Sequence, residues 1–275
     1  MIDLLTITNL PELAVRCDQM PGMRLFVDLE RNGKAARQKG HDTFISTHHL
    51  SDVSCIKSVL KQSKLMVRVN PFRMNDPAGS KAEVDAVLSQ GADMLMLPMF
   101  SNAEEMSVFA GIVAGRAPIV ALLETAGALH CIESWIDTPG IGEIFVGLND
   151  LHLSLGCSFM FEPLLVGHVE QIAKAAKMRG LRFGFGGIAR MNEGVLPGRD
   201  VLGEHVRLGS DSVILSRTFN RADAHASEES FEQAVTELRT TELSLDLRSR
   251  DCVQKDRLQT HKLLAELVEL AKARA

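Results

Sequence analysis

Two acidic residues close two apolar runs in this chain. Glu124 ends the run in APIVALLETAG, and Asp150 ends the run in IGEIFVGLNDLHLSLG. Each stands where a buried strand would emerge into a loop. Two carboxylates on adjacent strand ends can hold a hard divalent cation through oxygen and leave positions open for substrate. The competing assignment is a pair of carboxylates capping the helices that follow.

Such a site needs a scaffold that presents strand ends side by side. Apolar runs are expected as strands near Ile2–Thr6, Arg24–Leu29, Leu65–Asn70, Met94–Pro98, Ile119–Glu124, Glu143–Gly147, Arg182–Phe185 and Ser212–Ser216. Most lack polar alternation, which suits parallel strands buried on both faces. Helices fill the gaps. Ser101 and Glu104 are spaced as a capping box ahead of an apolar face of Met106, Phe109, Ala110 and Val113. From Pro163 to Arg179 the stripe Leu165, Val169, Ile172 and Ala176 predicts one helix stopped by Gly180. Alternating βα units favour a (β/α)8 TIM barrel over residues 1–225, with a doubly wound sheet as the alternative. Residues 226–275 form a C-terminal helical extension. The polar span Arg221–Glu229 reads as a linker, followed by helices near Ser230–Arg239 and Lys255–Ala273. The last of these has Leu258, Leu264, Leu267 and Ala271 on one face.

Bulk properties narrow the function. The chain has 275 residues, 45% hydrophobic and 24% charged, ordinary for a globular protein. No apolar run reaches the roughly 18 residues that would span a bilayer. The start, MIDLLTITNLPEL, has no basic flank and no small-residue cleavage site, so no secretory signal is expected. A net charge of -5 argues against nucleic acid as a partner. Five scattered cysteines without a C-x-x-C pattern fit reduced thiols in the cytoplasm.

In a (β/α)8 barrel the active site lies at the carboxyl ends of the strands. Reading those ends in order gives FVDLE, VRVNP, MLPMFSNAEE, ALLETAGAL and FVGLNDLHLSLG. This series resembles the HpcH/HpaI aldolase and citrate lyase β-subunit family, from the second strand to the helix after the sixth. The resemblance implies a phosphoenolpyruvate/pyruvate-type barrel that makes or breaks C–C bonds through a pyruvate enolate with Mg²⁺ or Mn²⁺. It implies Glu124 and Asp150 as metal ligands and Arg68 as the substrate-binding arginine. Two positions depart from the family. The HpaI-like aldolases have D-G-E-H after strand 2, with a histidine that assists proton transfer, and here Arg31 stands in that place. The citrate-lyase-like branch has D-L-E-D there and a lysine in an L-P-K segment, where this chain has Met99.

Asp28 and Glu30 are further catalytic candidates, able to bond metal-bound water. They are expected on opposite sides of strand 2, one facing the barrel axis and the other the helical shell. Arg68 can equally pair with either. Gly184, Gly186 and Gly187 sit at the strand 7 end, where bare backbone can approach an anion. Gly186, Gly187 and Arg190 are therefore candidate contacts for an anionic substrate tail, with a tight turn and a solvated arginine as the alternatives. His48, His49 and His152 are candidates to replace the missing histidine, or else surface and capping residues; His130 and Trp135 read as structural.

The expected activity is a metal-dependent aldolase acting on a 4-hydroxy-2-oxo acid. The alternatives are a lyase for an acyl-CoA thioester and a barrel that binds a small acid without turnover. No predicted strand ends in lysine, which disfavours a Schiff base. Phe231, Val235 and Leu238 form an apolar face of the extension that needs cover, on its own barrel or on a neighbour's; the resemblance, to a family commonly oligomeric through C-terminal helices, implies the neighbour and a homo-oligomer.

Overall fold

The computed structural model describes residues 1–32, 47–219 and 228–273. Eight strands run β1 (Asp3–Ile7), β2 (Met23–Asp28), β3 (Lys64–Arg68), β4 (Met94–Leu97), β5 (Ile119–Leu123), β6 (Ile141–Val146), β7 (Arg182–Ile188) and β8 (Ser212–Leu215). Each pairs in parallel with the next and β8 pairs back to β1, so the barrel is closed. Closure excludes the doubly wound alternative and explains the unbroken apolar strands, whose two faces are both covered.

The two faces separate into two clusters. Leu25, Val27, Leu65, Val67 and Ile144 join the shell between strands and helices. Leu5, Phe26, Met66, Met96, Val120, Leu122 and Phe145 pack as a separate cluster inside the barrel. At the amino ends of the strands the interior is closed by charge. Arg24 pairs with Glu143 at 2.8 Å and Asp3 at 2.7 Å, and Ser212 donates to Glu143. Glu143 is wholly buried, so its partners replace the water it loses.

Around the barrel lie α1 (Pro11–Asp18), α2 (Leu50–Val59), α3 (Pro77–Ser89), α4 (Ala103–Val113), α5 (Ala126–His130), α6 (Ile132–Trp135), α7 (Leu148–Ser154), α8 (Glu162–Leu165), α9 (His168–Met178) and α10 (Gly198–Leu208). The cap of α4 is one residue later than its spacing suggests. Asn102 accepts from the Glu105 amide, and Glu105 reaches back to the Ser101 amide. The single helix expected over 163–179 is two, α8 and α9. Gly167 between them has φ 89, a left-handed conformation that breaks the helix.

The extension is a pair of long helices, α11 (Glu228–Asp246) and α12 (Arg250–Lys272); most of the Arg221–Glu229 linker lies outside the described residues. Phe231, Val235 and Leu238 do not await a neighbour: they are buried in the same cluster as the barrel shell. Arg239 of α11 donates to the carbonyls of Ile2, Pro21 and Gly22, and the Ile2 amide donates to Glu242. On α12 the covered residues are Leu264 and Val268, while Leu258 is 62% exposed. The stripe expected through Leu258 is therefore rotated, because α12 docks beside α8 and α10. Among the described residues no helix is long and apolar enough to cross a membrane.

Candidate active site

Glu124 follows β5 directly. It is 2% exposed, and its Oε1 accepts the Met99 amide at 3.0 Å. It is not a helix cap: Thr125 caps α5 by accepting the Ala128 amide. Met99 holds that amide in place with φ 58, a left-handed conformation costly for a side chain of its kind. Across from it stands Gly147, where a side-chain carbon would lie 2.6 Å from Glu124 Oε2. Asp150 lies in the first turn of α7, whose start at Gly147 has no side-chain cap.

Arg68 ends β3 and reaches across to β2. Its Nε and Nη2 donate to the two Asp28 oxygens at 2.9 and 2.7 Å, and Nη1 lies 3.4 Å from Glu30. Asp28 and Glu30 thus sit on the same side of β2, contrary to the expectation above. Residues two apart on an extended chain face the same way. Beneath the guanidinium lies the Phe26 ring, with its centroid 5.6 Å from the central carbon.

Arg68, Glu124, Asn149, Asp150, Gly186 and Gly187 share the lining of one cavity of about 260 Å³. Burial pushes the Glu124 carboxyl up to about 8; Arg68 opposes the rise, while Asp150 and Glu30 add to it. Burial works against the charge on Arg68, but Asp28, Glu30 and Glu124 outweigh it and hold the guanidinium protonated. The mouth therefore gathers more negative charge than one arginine balances. A divalent cation fits that surplus, and the oxygen-only donor pair of Glu124 and Asp150 suits Mg²⁺ or Mn²⁺, which keep several positions for water and substrate. Among the described residues no group of three or more His, Cys, Asp or Glu could hold a metal.

The remaining candidates divide. Gly186 and Gly187 lie within β7 and line the cavity, with Gly186 at φ 52. Arg190 is not in the lining; its amide donates to Thr218 and its Nη2 reaches the Phe219 carbonyl at 3.5 Å. Arg31 turns its Nη2 to the His48 carbonyl at 2.7 Å and lies 3.3 Å from His49 Nδ1. His49 caps α2 in a capping box with Asp52. His152 is buried with Nδ1 3.2 Å from the Leu148 carbonyl one turn back. His48 is buried, and its Nδ1 accepts the Asp28 amide at 3.1 Å. Sequence reasoning missed Asn149, although it adjoins Asp150. It also missed Met96, Leu122, Phe145 and Ile214 of the strands and Met160 of the loop after α7; an apolar residue carries no local sign of lining a cavity.

Fold and site together define a closed (β/α)8 barrel with a carboxylate-rich mouth and Arg68 in its cavity. The family model HpcH/HpaI aldolase/citrate lyase matches residues 9–195, and the chain belongs to that family of aldolase- and lyase-type enzymes. Similar solved structures include an HpcH/HpaI aldolase/citrate lyase family protein from Burkholderia cenocepacia J2315. It is 17% identical with a TM-score of 0.62, covering 86% of this chain and 94% of that one. An HpcH/HpaI aldolase from Desulfitobacterium hafniense DCB-2 is also 17% identical, with a TM-score of 0.59, covering 86% and 93%. The citrate lyase beta subunit from M. tuberculosis, complexed with oxaloacetate and magnesium, is 16% identical with a TM-score of 0.58, covering 88% and 96%. At these identities the likeness is one of fold. No curated protein sequence matches the chain.

Proposed function

We propose that the protein is a divalent-metal-dependent carbon–carbon lyase that cleaves or forms a 4-hydroxy-2-oxo acid through the enolate of pyruvate. The observation that carries this reading is the convergence of Glu124, Asp150 and Arg68 on one cavity in a family barrel. Glu124 and Asp150 would hold Mg²⁺ or Mn²⁺. Bound there, the cation supplies Lewis-acid charge toward the carboxylate and keto oxygens of a 2-oxo acid.

The chain's own groups do the rest. Arg68 places a fixed positive charge where the enolate oxygen develops. Asp28 orients that guanidinium through two bonds. The C3–C4 bond breaks, its electron pair passes to the pyruvate fragment, the 4-hydroxyl proton leaves, and C4 becomes the aldehyde carbon. Glu30, bound to Arg68 by one longer contact, is the carboxylate we assign to that proton, relayed through water. Gly186 and Gly187 offer bare backbone to the substrate, whereas Arg190, turned toward Phe219, is not assigned to it.

A turnover screen of 2-oxo acid aldols and acyl-CoA thioesters, with and without Mn²⁺, tests the reading. Metal-dependent release of pyruvate supports it. Cleavage restricted to CoA thioesters favours the citrate-lyase-like reaction, and no cleavage of either class removes the enzymatic reading. Glu124→Gln and Asp150→Asn should each abolish the metal-dependent rate while the fold persists. We also place the protein in a reducing cytoplasm, the reading that its five scattered cysteines support. Residues 226–275 as an oligomerisation unit remain a separate proposal. It can no longer rest on Phe231, Val235 and Leu238, and light scattering of the intact chain decides it.

A further inference from the structure

The cavity lining combines ionic and apolar groups. Its ionic groups, Arg68, Glu124 and Asp150, come from β3, β5 and the start of α7. The rest of the lining is mostly apolar, with Leu122, Phe145, Leu148, Met160 and Ile214 beside the backbone of Gly186 and Gly187; its one further polar side chain among the described residues is the uncharged Asn149. Among the described lining residues Arg68 is the single cation, and Asp28 and Glu30 already engage it. Arg190, a basic residue after β7, bonds the Phe219 carbonyl and is not in the lining. A second carboxylate on the substrate would lie against this mostly apolar lining, losing hydration without meeting a second cation among the described lining residues. A hydrocarbon chain in the same place would gain from leaving water. The volume, about 260 Å³, is small for a ligand pocket, which limits the length of that chain.

Resting on the reading of the reaction given above, we propose that the aldehyde half of the substrate is short, uncharged and apolar, and that Met160 helps to select it. Met160 lies between α7 and α8 and is half-buried, so its side chain forms the wall from a loop rather than from a strand. A longer polar side chain there can keep its head in water while its stem follows the wall.

The experiment compares two acceptors with the same four-carbon skeleton, butanal and succinic semialdehyde, in Mn²⁺-dependent addition to pyruvate. The native protein is expected to favour butanal in kcat/KM by about tenfold or more, the scale set by burying one apolar group instead of a charge. Met160→Lys is expected to shift the ratio of the two kcat/KM values about tenfold toward succinic semialdehyde; Met160→Leu is expected to keep the native preference. Exchange of the pyruvate methyl protons with deuterated solvent is measured alongside, because it reports enolate formation without any acceptor. Exchange together with equal use of both aldehydes, preference for the charged one, or turnover of an acyl-CoA thioester alone overturns the inference and leaves an enolate-forming site. Absence of exchange, and of addition to either aldehyde, overturns the proposed reaction and the inference with it. The native ratio decides the matter even where a Met160 variant does not fold.

Discussion

Replacing Gly147 by alanine tests the metal site without touching a proposed ligand. Gly147 has φ -81 and ψ 88, a backbone that alanine adopts without left-handed strain, so the effect must come from the added methyl. That carbon would lie 2.6 Å from Glu124 Oε2, 2.9 Å from Glu124 Cβ and 3.2 Å from Leu122 Cδ1. The carboxylate tip can swing away, but the Glu124 Cβ cannot move without its backbone. Strain of this kind costs about 1–3 kcal/mol. A displaced Glu124 no longer shares a cation with Asp150, and small errors around a metal ligand typically lower affinity by about 10–100-fold. Mn²⁺ titration by calorimetry, with thermal unfolding of the metal-free protein, measures both effects. Gly111→Ala is the control: an added carbon at this exposed position in α4 meets nothing within 4 Å. It should stabilise the fold by about 0.5–1 kcal/mol and leave Mn²⁺ affinity alone. Should Gly147→Ala lower the melting temperature but bind Mn²⁺ as tightly as the native chain, Glu124 is not a ligand.

Arg68→Ala should lower kcat by about 10²-fold or more, because a fixed charge on a developing oxyanion acts in the transition state; a rise in KM with kcat unchanged would reduce its role to uniform binding. His205 stacks on Phe185 at 3.7 Å, and burial pushes its imidazole down to about 3. The unfolded chain then binds the extra proton first. Stability is fully present above about pH 6.5 and falls by up to about 1.4 kcal/mol per pH unit as the pH drops toward 3. Urea denaturation across that range should show a shallower slope for His205→Leu, and equal slopes would refute the assignment. Deleting α11 and α12 should give an unstable, aggregating barrel, because it uncovers the shell under Phe231 and Leu238 and removes the Arg239 bonds to Ile2, Pro21 and Gly22. A soluble truncated barrel with the native melting temperature would show that the extension contributes nothing to the fold.

The sequence by itself determined the strands, their parallel character and which residues stand at their ends. Apolar runs such as IVALL are legible because a strand covered on both faces needs no polar alternation. Glu124, Asp150 and Arg68 were legible because each stands at the exit of such a run. Local spacing failed where a one-residue shift or a single glycine governs the outcome, as at Asn102 and Gly167. What only the tertiary structure decided is how distant segments meet. It set Asp28 and Glu30 together on Arg68, held Glu124 with the amide of a left-handed Met99, and turned Arg31 and Arg190 to carbonyls of neighbouring loops. It also folded the apolar face of α11 onto its own barrel. These contacts join residues tens to hundreds of positions apart. Their partners are fixed by barrel closure and by the requirement that buried charge be matched, neither of which leaves a local pattern in the chain.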